Sequence, residues 1–127
     1  MGAMGAMGAV ALGGALGSLA RHGVNVAFAH NFGRPGPHAT AVVNILGSAA
    51  IGLLAGLIAS GRLTMSPHMR TFVFVGLLGG FTTFSSFMLD TLTLTHAGER
   101  TLAMSNIAGQ MIVGILAVFA CYFVAAR

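Results

Sequence analysis

Apolar residues fill long uninterrupted stretches of this chain, and charge is confined to short points between them. No Asp, Glu, Lys or Arg occurs in residues 1–20, 35–61, 71–89 or 101–126. Each stretch reaches or approaches the ~20 residues that cross a ~30 Å hydrocarbon core. Lipid offers the backbone no hydrogen-bonding partner, so each spanning segment must satisfy its own, which a helix does. The pattern therefore predicts an all-α membrane protein with four transmembrane helices, at about 4–28, 38–60, 67–94 and 100–127. Breakers lie between them. Residues 31–37 read NFGRPGP, rich in Gly and Pro. Residues 61–67 form a short turn, with Ser66 placed to cap the next helix and Pro67 at its first position. Residues 96–99 form the last turn. No linker is long enough to set off a second domain, so 1–127 is read as one domain.

The opening MGAMGAMGAV has no basic region before its apolar run, and no clear cleavage site follows as far as Leu19. It reads as the start of helix 1 rather than a signal peptide, and its first few residues are expected to be disordered. Small residues recur at i, i+4: Ala9, Gly13 and Gly17 in helix 1, and Ser48, Gly52 and Gly56 in helix 2. Such stripes let helices approach closely in lipid.

Composition agrees with the pattern. Charged residues make up 6%, against about 25% in a soluble domain. The formal net charge is +4 and every basic residue is Arg. These Arg residues are scattered at helix ends, which suits membrane-interface anchors and not nucleic acid. With four spans, Arg62, Arg70 and Arg127 fall on one side of the membrane, and Arg21, Arg34 and Arg100 on the other. Orientation normally follows a Lys/Arg excess on the cytoplasmic side. Here neither side has one, so the chain is expected to insert both ways; an even split by chance is the alternative. Cys121 is single and sits in an apolar run, so it packs and forms no intrachain disulfide. No metal-ligand cluster appears, and the His residues are dispersed toward helix ends and loops, so an enzyme is disfavoured.

Polar residues inside the spans carry the candidate chemistry, because they are costly there. Helix 2 places Thr40, Asn44 and Ser48 at i, i+4, and helix 4 does the same with Asn106 and Gln110. Helix 3 holds Thr82, Thr83, Ser85, Ser86 and Asp90 close together. Helix–helix hydrogen bonding is the alternative for any one of them. Three stripes on three helices favour a water-lined or ion-lined path. In helix 3, Gly79-Gly80 followed by Phe81-Thr82-Thr83 is poor helix, so the span is expected to break near its centre, beginning at Gly79-Gly80. Phe84 and Phe87 follow at i, i+3. The edge of a Phe ring is electropositive and can face an anion, although the spacing taken alone favours ordinary core packing.

At this point a family resemblance enters. GGFTTFSSF closely resembles the GGxTTFSTF signature of the Fluc (CrcB) fluoride channels. GGALGSLAR, ending at Arg21, is similar to the family's GGxxGAxxR. TAVVNILGS is similar to its TxxxNxxGS, with Thr40 and Asn44 at the matching places. NIAGQ stands where the family often has a polar residue, two apolar residues and Gly-Ser. The resemblance covers most of the chain. It implies a passive channel that exports fluoride across a bacterial-type inner membrane, built as an antiparallel homodimer with two pores. It further implies that Phe84 and Phe87 flank the ion path and that Asn44 faces it. Ser85 and Ser86 correspond to the hydroxyl pair between the aromatics, and Asn106 and Gln110 to polar positions of helix 4. The carbonyls of Gly79 and Thr82 would hold a structural sodium ion on the dimer axis. Ala39, Ser86, Asp90, Leu102, Asn106 and Gln110 depart from the family's Gly, Thr, Glu, Tyr and Ser.

The residue types suit this anion. Fluoride is small and strongly hydrated, so a narrow pore must replace its water with N–H and O–H donors such as Asn44, Thr40, Ser85 and Ser86. A fixed cation inside would hold it too tightly to conduct. Arg21 would concentrate anions at a vestibule, or would snorkel to the interface. A small dual-topology multidrug exporter is the rival reading. It needs a carboxylate in helix 1, and helix 1 has none.

Overall fold

The computed structural model describes residues 2–33 and 36–127. Four helical spans make up the fold, all long and apolar enough to cross a membrane. The first is α1, Ala3–Phe32, and the second α2, Pro37–Ala59. The third begins with the turn Pro67–Arg70, continues as a π-helical stretch, Thr71–Leu78, and closes with the turn Gly79–Phe81. These three contiguous pieces are together α3. After an interruption at Thr82 and Thr83 the same span resumes as α4, Phe84–His96. The last span is α5, Arg100–Ala126.

Helix ends largely follow the local chemistry. Ser66 caps α3 by accepting from the Met69 N–H at 3.3 Å, with Pro67 at the first position. Helix α1 runs past the expected end at residue 28, to Phe32. No residue halts it before Gly33, which adopts φ 79°, a left-handed conformation that favours Gly. The Met-Gly-Ala repeat is helical from Ala3 onward, where disorder was expected of the first residues, and Met1 lies outside the described residues. At the C-terminus, Ser60 Oγ donates to the Ala125 carbonyl at 3.2 Å, and Arg62 donates to the same oxygen through Nη2. A cation at the C-terminal end of a helix also answers its dipole.

Backbone-to-backbone contact organises the packing. Helix α1 lies against α3, and α2 against α5, with α4 resting on α5 and α2. Any side chain at Gly13 would run into the backbone of Phe72, Gly76 and Leu77. One at Gly17 would meet Leu77, Gly80 and Phe81. On the other pair, Gly52 abuts the Val118 backbone and Gly56 the Tyr122 carbonyl. Both small-residue stripes thus mark seams where dispersion contact replaces the hydrophobic drive that lipid removes. The widened π-helical stretch falls along the α1 seam, where Gly76 sits on Gly13.

The break in the third span is displaced from the expected position. Gly79 is helical, at φ −64° and ψ −36°. The chain extends instead at Thr82 (φ −77°, ψ 159°) and Thr83 (φ −153°, ψ 116°). Gly80 is helical too and packs closely against the Gly14 backbone. The ladder holds through the Thr82 N–H, which donates to the Leu78 carbonyl at 2.9 Å, and fails at the Thr83 N–H; both residues are β-branched and tolerate extended backbone well.

Candidate functional site

Extending the backbone at Thr82 and Thr83 frees polar groups that lipid cannot satisfy, and Asn44 of α2 takes up two of them. The Thr83 N–H donates to Asn44 Oδ1 at 2.8 Å, and Asn44 Nδ2 donates back to the Thr83 carbonyl at 3.1 Å. The carboxamide therefore pairs with the Thr83 backbone as a neighbouring β-strand would. Thr83 also caps α4, its Oγ1 accepting from the Ser86 N–H at 3.1 Å. The same oxygen lies 3.0 Å from Ser86 Oγ and 3.3 Å from Ser85 Oγ, forming a hydroxyl cluster at the N-terminal, electropositive end of α4.

A line of side chains runs on from Asn44. Its Nδ2 donates to Gln110 Oε1 at 2.8 Å, Gln110 Nε2 donates to Asn106 Oδ1 at 2.8 Å, and Asn106 Nδ2 donates to Thr91 Oγ1 at 3.0 Å. Thr91 Oγ1 then donates to the Phe87 carbonyl at 2.8 Å. The helix 2 and helix 4 stripes thus meet at the break. Ser48 does not join them; its hydroxyl turns back to the Asn44 carbonyl at 2.8 Å.

The aromatic pair straddles inside and outside. Phe84 and Phe87 meet edge to face, with centroids 5.7 Å apart. Phe87 is 4% exposed, whereas Phe84 is 71% exposed on the outer face of the single chain, beside the exposed Ser85.

Two cavities adjoin this network, and Gly36, in the loop between α1 and α2, lines both. The larger, about 460 Å³, is lined by Asn106 and Gln110 among apolar residues including Phe28, Phe32, Leu94 and Leu102. The smaller, about 210 Å³, brings together Arg21, Asn25, Thr40, Thr83, Ser86 and Asp90. Asp90 Oδ2 is buried and has no hydrogen-bond partner among the described residues. The smaller cavity thus gathers Arg21, Thr40 and Ser86, the larger gathers Asn106 and Gln110, and Asn44 connects the break to the second group. Phe84 and Ser85 line neither cavity. Gly79 is exposed on the outer surface and Thr82 half-buried.

Two contributors, Asn25 and Thr91, escaped the sequence reading, as did the role of a third, Thr83. Asn25 follows Arg21 by four residues, so helical spacing alone could have found it. Thr83 was visible as a polar residue in the helix 3 run, but its role comes from its backbone. Thr91 carries no signal that separates it from the neighbouring threonines of α4.

Comparison with known proteins matches the sequence of this chain to a described family. The model of the CrcB-like protein, Camphor Resistance (CrcB), family matches residues 8–122. The chain is 48% identical over 114 residues to the fluoride-specific ion channel FluC of Paracoccus denitrificans, covering 87% of this chain and 86% of that one. It is 44% identical over 111 residues to the protein of the same name from Opitutus terrae, covering 87% and 84%. Against that of Methylobacterium radiotolerans it is 44% identical over 119 residues, covering 93% and 82%. With its four spans and its match over nearly the whole length, the chain is a multi-pass membrane protein of the CrcB family.

Proposed function

We propose that this protein is a passive fluoride-selective channel, not an enzyme, and that it lets cytoplasmic fluoride leave down its electrochemical gradient. The observation that carries the reading is the identity of 48% to a relative named as a fluoride-specific ion channel, spread over 87% of the chain. The site supports it physically. The line of carboxamides and hydroxyls supplies N–H and O–H donors with no Lys or Arg among them, so a dehydrated anion finds replacements for its water without being trapped. An interior-negative potential adds ~2.3 kcal/mol per 100 mV to the outward drive. A proton-coupled drug exporter would need an acid in α1, and α1 has none.

The working unit is an antiparallel homodimer in a bacterial-type inner membrane. Phe84 and Ser85, both exposed on the single chain, would then face the second copy. The even Arg distribution supports the pairing, although Arg34 lies outside the described residues. A sodium ion fits the break. The Thr83 N–H is engaged by Asn44 Oδ1, so the Gly79 carbonyl loses its helical donor. The Ser86 N–H is engaged by Thr83 Oγ1, so the Thr82 carbonyl loses its own. Unpaired carbonyls are costly at membrane depth. Gly79 and Thr82 from each copy would supply four hard oxygens, a set suited to Na⁺ and unlike the N and S ligands that transition metals prefer. The ion would act there as a structural staple.

The test is efflux from liposomes loaded with fluoride or chloride, with potassium made permeable to release the charge. Fluoride should leave rapidly while chloride is retained. Equal release of both, or of neither, contradicts the proposal.

A further inference from the structure

Of the described residues that line the 460 Å³ cavity, only His38 can change its charge. It stands at the second position of α2, behind Pro37, and it is exposed. The rest of the lining is apolar or carries uncharged amides and a hydroxyl, so nothing inside the cavity supplies a counter-charge. Phe28 and Phe32 of α1, Leu94 of α4 and Leu102 of α5 give the cavity low-dielectric walls. Such walls focus the field of a charge into the opening they surround.

The charged and titratable groups on the elements around His38 stand elsewhere. Arg21 of α1 and Asp90 of α4 line the neighbouring smaller cavity. His22 and His30 of α1, His96 of α4, and Glu99 and Arg100 at the start of α5 are exposed and line neither cavity. Arg34, in the loop before α2, lies outside the described residues. Histidine is the side chain whose charge changes between about pH 8 and about pH 5. Acidification therefore places one positive charge at a cavity that Asn106 and Gln110 also line.

We infer that His38 is an acid-responsive anion collector at the mouth of the ion path. Protonated, it raises the local fluoride concentration and with it the rate of passage. It draws the anion without trapping it, because the charge is exposed and not inside the path. Even in open water, a unit charge about 7 Å from a passing anion raises its local concentration by about two- to threefold at low ionic strength. Acid is also the condition in which fluoride crosses lipid as neutral HF, so collection strengthens when loading is fastest. The inference rests on the channel reading and adds regulation to it.

The test is fluoride current through the reconstituted protein in planar bilayers of zwitterionic lipid, with both sides at about pH 7.5 and then at about pH 5.5. Current is the readout because neutral HF carries none. Salt is kept low, and fluoride is kept where current still grows with its concentration. Wild-type current should rise about two- to threefold in acid, and a large impermeant salt should abolish the rise. His38→Ala should give the neutral-pH current under both conditions. His38→Arg, which keeps the charge, should give the raised current under both. His30→Ala and His96→Ala should respond as the wild type does. His38 is exposed, so its substitutions leave the packing in place. A wild-type current that stays level or falls in acid overturns the inference. So does an acid rise that survives in His38→Ala, which would point to Asp90 or another histidine. A His38→Arg current fixed at the neutral-pH level overturns it too, since charge would not be the agent. Each of these leaves the channel reading intact. No fluoride current from the wild type or any variant at either pH removes that reading, and the inference with it.

Discussion

Phe84 and Phe87 show how one spacing yields two environments. They adjoin at i, i+3 and touch edge to face, yet one is exposed and the other buried. If the ring edge supplies the electropositive contact, Phe87→Ile should slow fluoride efflux by roughly tenfold or more, since ~1.4 kcal/mol on a barrier gives that factor. Phe84→Ile should act similarly if its exposed ring faces a second copy. Stopped efflux traces on folded protein check both, and wild-type rates would return the pair to ordinary packing. Asn44→Asp is expected to block conduction. Aspartate can still accept the Thr83 N–H, but it has no donor for the Thr83 carbonyl or for Gln110, and it adds a negative charge beside the path. Normal fluoride efflux in that variant would detach α2 from the pathway.

At the scale of elements, the α1–α3 seam leaves the least room for added volume. Gly17 has no room for a Cβ against Leu77, Gly80 and Phe81, while Gly23 has nothing within 4 Å. Gly17→Ala should therefore destabilise by about 1–3 kcal/mol, as overpacking does. Gly23→Ala should be neutral or gain up to about 1 kcal/mol from reduced backbone freedom. Thermal denaturation of both in the same detergent makes the comparison, and equal melting points would mean that the seam is looser than its geometry indicates. The third span was legible in outline from GGFTTFSSF, yet its interruption falls at Thr82 and Thr83, after the glycines. Propensity favours the glycines as breakers, but Gly79 and Gly80 stay helical, with Gly80 packed against the Gly14 backbone. That close approach involves a residue far along the chain, which local propensity does not register.

The whole molecule shows its setting by what it leaves exposed. Leu12, Leu16, Leu19, Leu53, Ile112, Leu116 and Phe119 all face outward, a surface fit for lipid tails or a second copy. If two copies pair in opposite senses, a cysteine placed at the C-terminus in a Cys121→Ala background should label from both sides of intact cells. Labelling from one side only, in a protein that conducts, would sink the antiparallel dimer. Prolonged replacement of Na⁺ by a large organic cation should lower fluoride flux, and returning Na⁺ should restore it. Undiminished flux after exhaustive exchange would mean that the Gly79 and Thr82 carbonyls are satisfied by other groups.

The sequence by itself determined the four spans and the close helix seams. A membrane denies hydrogen bonds to the backbone and charge to the interior, so spans are written as long uncharged stretches, and seams as small residues one helical turn apart. Caps such as Ser66-Pro67 were readable because their partners lie within a turn. Only the tertiary structure decided where the third span breaks, which aromatic turns inward and which partners the carboxamides take. Each of these depends on a partner far along the chain. Asn44 is separated from Thr83 by 39 positions and from Gln110 by 66. A polar residue in a span announces that it needs a partner, but the partner that consumes its donors is set by how the helices pack.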